Sequence, residues 1–264
     1  MSEFKNAFRQ LRKHPFSNAV IILTIALLIG AVSVIYASLR DEQARYTPFT
    51  EPDRMVKFWR TAPKRIVPNF SGDVYQGYAR GLTSFQDLGA LNGRPTTTLT
   101  EVGEPISYQC AAISPSLLRL AGITPIAGRV FDDTDAVKGD ENIVLVSEQM
   151  WRGKLGADEQ IIGRELRLDE KPHTVVGVLP NSMRRTRLAF NIDVWRPLLA
   201  DVRSGNFALF GRLKSGVSIT KAQAEIDTVG APLEKSHVSS KNERAVNPAG
   251  FSGARIASLN TQLQ

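Results

Sequence analysis

The chain reads as an α+β domain carried on one N-terminal membrane helix, and three observations predict this. Residues 19–39 form an uncharged apolar run, AVIILTIALLIGAVSVIYASL. At 1.5 Å per residue that run makes a helix of roughly 31 Å, enough to cross a bilayer core. About 220 residues of ordinary hydrophobic content follow it, enough for one large domain or two small lobes. In that stretch strand and helix signals do not alternate regularly, which favours α+β over a doubly wound sheet.

The flanks orient the span. Lys5, Arg9, Arg12 and Lys13 precede it, opposed by Glu3, while Arg40, Asp41 and Glu42 follow. The Lys/Arg excess belongs in the cytoplasm, so residues 41–264 are expected outside it. Phe4, Phe8 and Leu11 share one helical face among basic residues, so 1–15 suits a short interfacial helix, with 16–40 as the span. A plain basic leader is the simpler reading of 1–15. The rival to a retained anchor is a cleaved signal peptide, because Ala31-Val-Ser33 has a small-x-small cleavage form. The apolar run continues through Tyr36 and exceeds the usual apolar stretch of a leader, which favours retention.

Local signals place the elements. Residues 55–59 (MVKFW) suit a strand. Ser71 can cap a helix that ends at Gly81. Strands are expected at 97–102 and 106–113 around Gly103-Glu-Pro. Ser114-Pro115 is a cap followed by proline at the first helical position, and Gly122 stops that helix. Residues 142–146 (NIVLV) suit a buried strand, and Ser147 caps a helix closed by Gly156. Residues 165–168 and 173–179 form a hairpin turning over Asp169–Pro172. A strand over 206–213 leads to Ser215-Gly216. Thr220 and Gln223 have capping-box spacing. Ile219, Ala222, Ile226, Val229 and Leu233 then share one helical face, which Pro232 should bend or end. The tail after His237 is polar and weakly patterned.

Chemistry is sparse. The formal charge is +7, of which the first 39 residues carry +3. The outer domain is weakly basic and has no Lys/Arg block with interleaved aromatics, so nucleic acid is disfavoured. Arg184, Arg185 and Arg187 are the densest basic patch and suit a solvated loop. There is no phosphate-cradling glycine loop and no nucleophile elbow. His14, His173 and His237 are far apart and Cys110 is single, which argues against a zinc site and rules out an intrachain disulfide. Cys110 with His173 is a conceivable nucleophile pair, against the ordinary reading of a strand cysteine as core. Asp132, Asp133 and Asp135 could suggest calcium, but they lack the glycine and terminal glutamate of an EF-hand loop. Trp59, Trp151 and Trp195 could line a ligand site, with core packing the default. No catalytic residue, cofactor-binding residue, metal ligand or cofactor is therefore expected.

Several segments in order resemble a known family. They are FRQLRKHPFSNAVIILTIALLIGA (8–31), EPDRMV (51–56), SFQDLGAL (84–91) and ISPSLLRLAGITPIAGRVF (113–131). VLVSEQMWRGKLGADEQIIGRELRLDEKPHTVVGVLP (144–180), DVWRPL (193–198) and GRLKSGVSITKAQAEI (211–226) continue the series. Each piece alone is weak, but their order resembles macrolide-exporter-type ABC permeases, the FtsX-like permeases with a MacB-like periplasmic core domain. The resemblance is to the first copy of the long duplicated bacterial permeases in particular.

The resemblance implies a bacterial inner-membrane protein with a two-lobed mixed α/β periplasmic domain, one lobe inserted in the other. On that pattern the membrane-proximal lobe takes 45–113 and 205–264, with 114–204 inserted. The chain would leave near Ile113 and return near Asn206 at neighbouring points. The 206–213 strand would join the first segment's sheet, and contacts between the lobes would be modest and polar, with hinge freedom. The family implies a non-catalytic permease domain powered by a separate ABC ATPase, relaying motion between membrane helices and external partners or substrate. Family members carry three further spans after this domain, whereas here no second apolar run precedes Gln264. The expectation is a truncated product, a fragment, or a split permease that needs a second chain or copy. A single-pass binding or sensory module is the alternative reading, and an anchored hydrolase a third that lacks any catalytic constellation.

Overall fold

The computed structural model describes residues 16, 20, 23–34, 51–62, 65–67, 69–93, 96–100, 105–138, 142–184, 191–203, 205–237 and 252–259. The chain divides into two units, Met1–Tyr46 and Thr47–Gln264.

In the first unit residues 16, 20 and 23–34 are helical. Thr24 Oγ1 donates to the Val20 carbonyl at 2.8 Å, so its hydroxyl is satisfied within the helix. Residues 23–34 rise about 18 Å. Among the described residues no helix is long and apolar enough to cross a membrane. The rest of the expected 16–40 span, and all of 1–15, lie outside the described residues.

The second unit opens with β1 (Met55–Ala62), β2 (Arg65–Val67), β3 (Asn69–Phe70), α1 (Gly72–Gly81) and β4 (Phe85–Asn92). It continues through β5 (Thr96–Leu99), β6 (Ile106–Ile113), α2 (Pro115–Ala121), β7 (Ala127–Gly128), α3 (Asp133–Lys138), β8 (Ile143–Ser147) and α4 (Glu148–Gly153). Then follow β9 (Glu165–Leu168), β10 (Lys171–Leu179), α5 (Asn181–Arg184), β11 (Val194–Pro197), β12 (Phe207–Leu213), α6 (Ile219–His237) and β13 (Ser252–Ser258).

Strand pairing separates two substructures. Strands β4, β12, β1 and β13 form an antiparallel sheet in that order. With α1 between β1 and β4, and α6 between β12 and β13, this is a split β-α-β arrangement. Its second and third strands are separated by 93–206, and the separation starts and closes at one point, where Asn92 pairs with Phe207. Strands β6, β5, β9, β10, β8 and β11 form a closed ring, because β11 pairs both β8 and β6. β6 runs its length against β5 and β11 and meets β4 only at Leu91–Ile113.

Alternation along the strands gives the sheet two buried faces. Val56, Phe58, Ala90 and Leu209 face α1 and α6, with Phe70, Tyr78, Ala222 and Ile226 in the same cluster. The two helices approach closely, since a Cβ on Gly77 would fall 2.5 Å from Leu233 Cδ1. Met55, Leu91 and Phe210 point the other way, into a cluster with Leu117, Leu118, Leu145, Leu179 and Trp195. α2 supplies the middle of that cluster. Ser114 caps it, accepting from Leu117 N at 3.2 Å, Pro115 opens it, and Gly122 ends it at φ 60°. Gly89 admits it to the sheet, because a Cβ there would lie 2.6 Å from Leu117 Cβ. The contact between ring and sheet is therefore apolar and continuous, not modest and polar. Its physical cause is α2, which is buried on both sides.

Other local expectations shift. The hairpin turns over two residues, Asp169 and Glu170, both at positive φ (52° and 66°), so Lys171 and Pro172 already belong to the strand. The cap of α6 is Ser218, whose Oγ accepts from Lys221 N at 3.2 Å, in place of Thr220. Gln223 instead reaches the last strand, donating to Ala254 O and accepting from Ile256 N. Pro232 does not end α6, which continues to His237. Packing of Val229 and Leu233 against α1 outweighs the one lost helical hydrogen bond. Ser252–Ser258, in the segment expected to be weakly patterned, is a full strand against β1.

Candidate functional site

β10 and β11 lie on either side of β8, so the ring brings together two side chains that are distant in sequence. His173 on β10 and Arg196 on β11 line one cavity of about 330 Å³ where the mouth of the ring faces the sheet. Asn142 and Lys171 complete the ring side. Asn92, Asp201 and Phe207 line it as well, together with Ala112, Pro197 and Leu198.

Arg196 is held in place by the turn between β9 and β10. Its Nη2 donates to Asp169 Oδ2 at 3.1 Å and to Thr97 Oγ1 at 3.2 Å. Asp169 in turn accepts from Thr98 N at 2.8 Å and Thr97 Oγ1 at 2.8 Å. Burial works against the Asp169 charge, yet these hydrogen bonds from Thr98, Thr97 and Arg196 hold its carboxyl below the ordinary value. His173 is 3% exposed. Burial, reinforced by the positive charge of Arg196, pushes its imidazole below the ordinary value and keeps it neutral. Its Nδ1 lies 2.9 Å from the Lys171 carbonyl, which can only accept, so Nδ1 carries the proton and Nε2 keeps a lone pair.

The sequence candidates fare differently. Cys110 is buried inside the ring among Val144, Leu166 and Val175, and burial raises its thiol to about 11. A thiol so protonated is no nucleophile. The acidic loop is spent internally. Asp135 forms an ion pair with Arg129 at 2.6 Å, Asp133 one with Arg119 at 2.9 Å, and Asp132 accepts from Thr134 at the start of α3. Among the described residues no group of three or more His, Cys, Asp or Glu side chains could hold a metal. Trp195 is fully buried, and Trp151 donates to the Asp158 carbonyl at 2.9 Å beneath the guanidinium of Arg152. Trp59 is partly exposed on β1. Arg184 ends α5, whereas Arg185, Arg187 and His14 lie outside the described residues, as does the side chain of His237. The sequence offers His173 as a partner of Cys110 and as one of three scattered histidines, and gives no sign of Arg196 or Asp201. No spacing signal links them, because the ring closure that gathers them is a long-range pairing.

A split β-α-β sheet carrying an inserted strand ring defines an α+β core domain without a catalytic constellation among its described residues. A family model described as the MacB-like periplasmic core domain matches residues 19–229, and the chain belongs to that family. The fold is similar to that of the periplasmic region of MacB from Actinobacillus actinomycetemcomitans, with TM-score 0.56 and 12% identity over 81% of this chain and 92% of that one. It is equally similar to a permease-protein domain from Porphyromonas gingivalis, with TM-score 0.56 and 18% identity over 80% of this chain and 92% of that one. At these identities the likeness shows a shared fold. Among curated proteins none matches the chain.

Proposed function

We propose that the chain is a membrane-anchored periplasmic core domain of an ABC-type permease that relays motion and does no chemistry itself. The lobes it joins are the βαββαβ sheet and the strand ring, and a separate ATPase supplies the energy. The observation that carries the reading is the continuous core around α2. Met55, Leu91 and Phe210 of the sheet share one buried cluster with Ile113, Leu117 and Trp195 of the ring side. Two bodies so joined transmit a displacement instead of absorbing it.

Anchoring is supported by the helix at 23–34. Leu23, Leu27, Leu28, Ile29 and Val32 are each at least 61% exposed within their own unit, an apolar surface that water does not favour. The basic N-terminal flank supports a core domain outside the cytoplasm.

The test uses the full chain with Lys214→Cys, a position in an exposed turn. Buried Cys110 leaves the background silent. A membrane-impermeant thiol reagent applied to cells with a permeabilised outer membrane should label this cysteine, and the labelled chain should co-purify with an ATP-hydrolysing subunit. Labelling only after lysis would overturn the topology. A correctly labelled chain with no ATPase would favour the anchored binding module, which the cavity at the ring mouth favours as the second reading.

A further inference from the structure

The cavity at the ring mouth contains charges that the fold does not neutralise. Arg196 is committed to Asp169. Lys171 and Asp201, both exposed at the cavity, have no ion-pair partner among the described residues. They come from different elements, Lys171 from β10 of the ring and Asp201 from the connector between β11 and β12. On the same strand as Lys171, His173 lines the cavity with a neutral ring whose Nδ1 is engaged by the Lys171 carbonyl, which leaves Nε2 a lone pair with no partner among the described residues. Ala112, Pro197, Leu198 and Phe207 supply apolar surface. The volume, about 330 Å³, is at the lower end of small-molecule pockets.

We infer that this cavity binds a small amino-carboxylate with an apolar body, such as a free α-amino acid. Its carboxylate meets Lys171. Its ammonium meets Asp201 and donates to His173 Nε2, and its hydrocarbon side chain lies against Leu198 and Phe207. A simple anion would find Asp201 repulsive, and a simple cation would find Lys171 repulsive, so one charge of each sign selects a ligand carrying both. The neutral histidine fits the same ligand, because a ring already donating through Nδ1 can accept a proton-bearing ammonium but cannot donate again. This site does not depend on the relay reading.

The full chain in lipid nanodiscs, with its three histidines isotope-labelled, provides the test. The His173 imidazole resonance is assigned by elimination using His14→Gln and His237→Gln. L-leucine should shift that resonance saturably below about 10 mM, the range of a weak site. Lys171→Met and Asp201→Asn, each altering an exposed side chain, should weaken binding at least tenfold while leaving the unfolding midpoint unchanged. Leucine methyl ester and N-acetyl-leucine, each lacking one charge, should bind at least tenfold more weakly than leucine. An unmoved resonance at about 10 mM overturns the proposal. So does equal binding by either blocked derivative or by both variants.

Discussion

Ser114 and Ala90 exchange two hydrogen bonds. The Ser114 backbone N–H donates to the Ala90 carbonyl at 2.9 Å, and the Ala90 N–H donates to the Ser114 hydroxyl at 2.9 Å. The same hydroxyl accepts from Leu117 N, so one oxygen caps α2 and continues the ladder of β4. Ser116 adds a third tie, donating to the Leu88 carbonyl at 2.8 Å. This is where ring and sheet are locked together, entirely out of solvent.

Ser114→Ala removes the cap and leaves the buried Ala90 N–H without its acceptor. A cap is worth about 1 kcal/mol and an orphaned buried donor about 1–3 kcal/mol, so a loss of about 2–4 kcal/mol is expected. Urea unfolding of the full chain measures it. A loss below about 0.5 kcal/mol, the size of an ordinary surface change, would show that the double exchange is not what holds α2.

Glu225 on α6 ties that helix to the loop before β4. Its carboxylate accepts from Thr83 N, from Thr83 Oγ1 at 2.7 Å and from Ser84 N at 2.9 Å. Burial opposes the charge, but the Ser84 and Thr83 hydrogen bonds prevail and bring the carboxyl down to about 2. The folded form thus holds its proton less tightly than the unfolded chain. The stabilisation is present above the ordinary value of 4.5 and is lost as pH falls toward 2. Glu225→Gln should lower stability at pH 7 and flatten the pH dependence between those two values. Unfolding midpoints of both proteins across that window check it, and parallel curves would contradict it.

Cys110 should be inert. With its thiol raised to about 11 and its side chain inside the ring, a maleimide at pH 8 should modify it only when the domain unfolds. Mass spectrometry of native and urea-unfolded chains gives the comparison. Rapid modification of the native protein would mean that the ring opens readily.

The parts legible in the sequence are those whose physics is local. Ser71, Ser114 and Ser147 each accept from the backbone N–H three residues on, at 3.5, 3.2 and 3.0 Å, as their spacing predicts. β12 pairs with β1 and β4, as expected for a strand returning to the first segment's sheet. The illegible parts have weak side chains or distant partners. β13 buries Ala254, Ile256 and Ser258, a set too small and mixed to register as an apolar stripe. β11 carries Arg196 and ends on Pro197, so its short run does not read as a strand. Its pairing with Cys110 through Ile113, more than 80 positions earlier, closes the ring and creates the cavity. No local pattern encodes a partner so far away.

The chain order of the strands has a consequence for how the molecule is made. Every strand of the ring lies between Thr96 and Pro197, whereas the split sheet takes its first strand from Met55–Ala62 and its last from Ser252–Ser258. As the polypeptide emerges in order, the later insertion is complete while the earlier framework still lacks two strands and a helix. The ring can mature while β1, whose Phe58 already has Phe70, Tyr78 and Phe85 to pack against, waits for β12 and then for β13, which arrives nearly 200 residues later. A chaperone that meets the emerging chain would find its client surface at the open edges of β1.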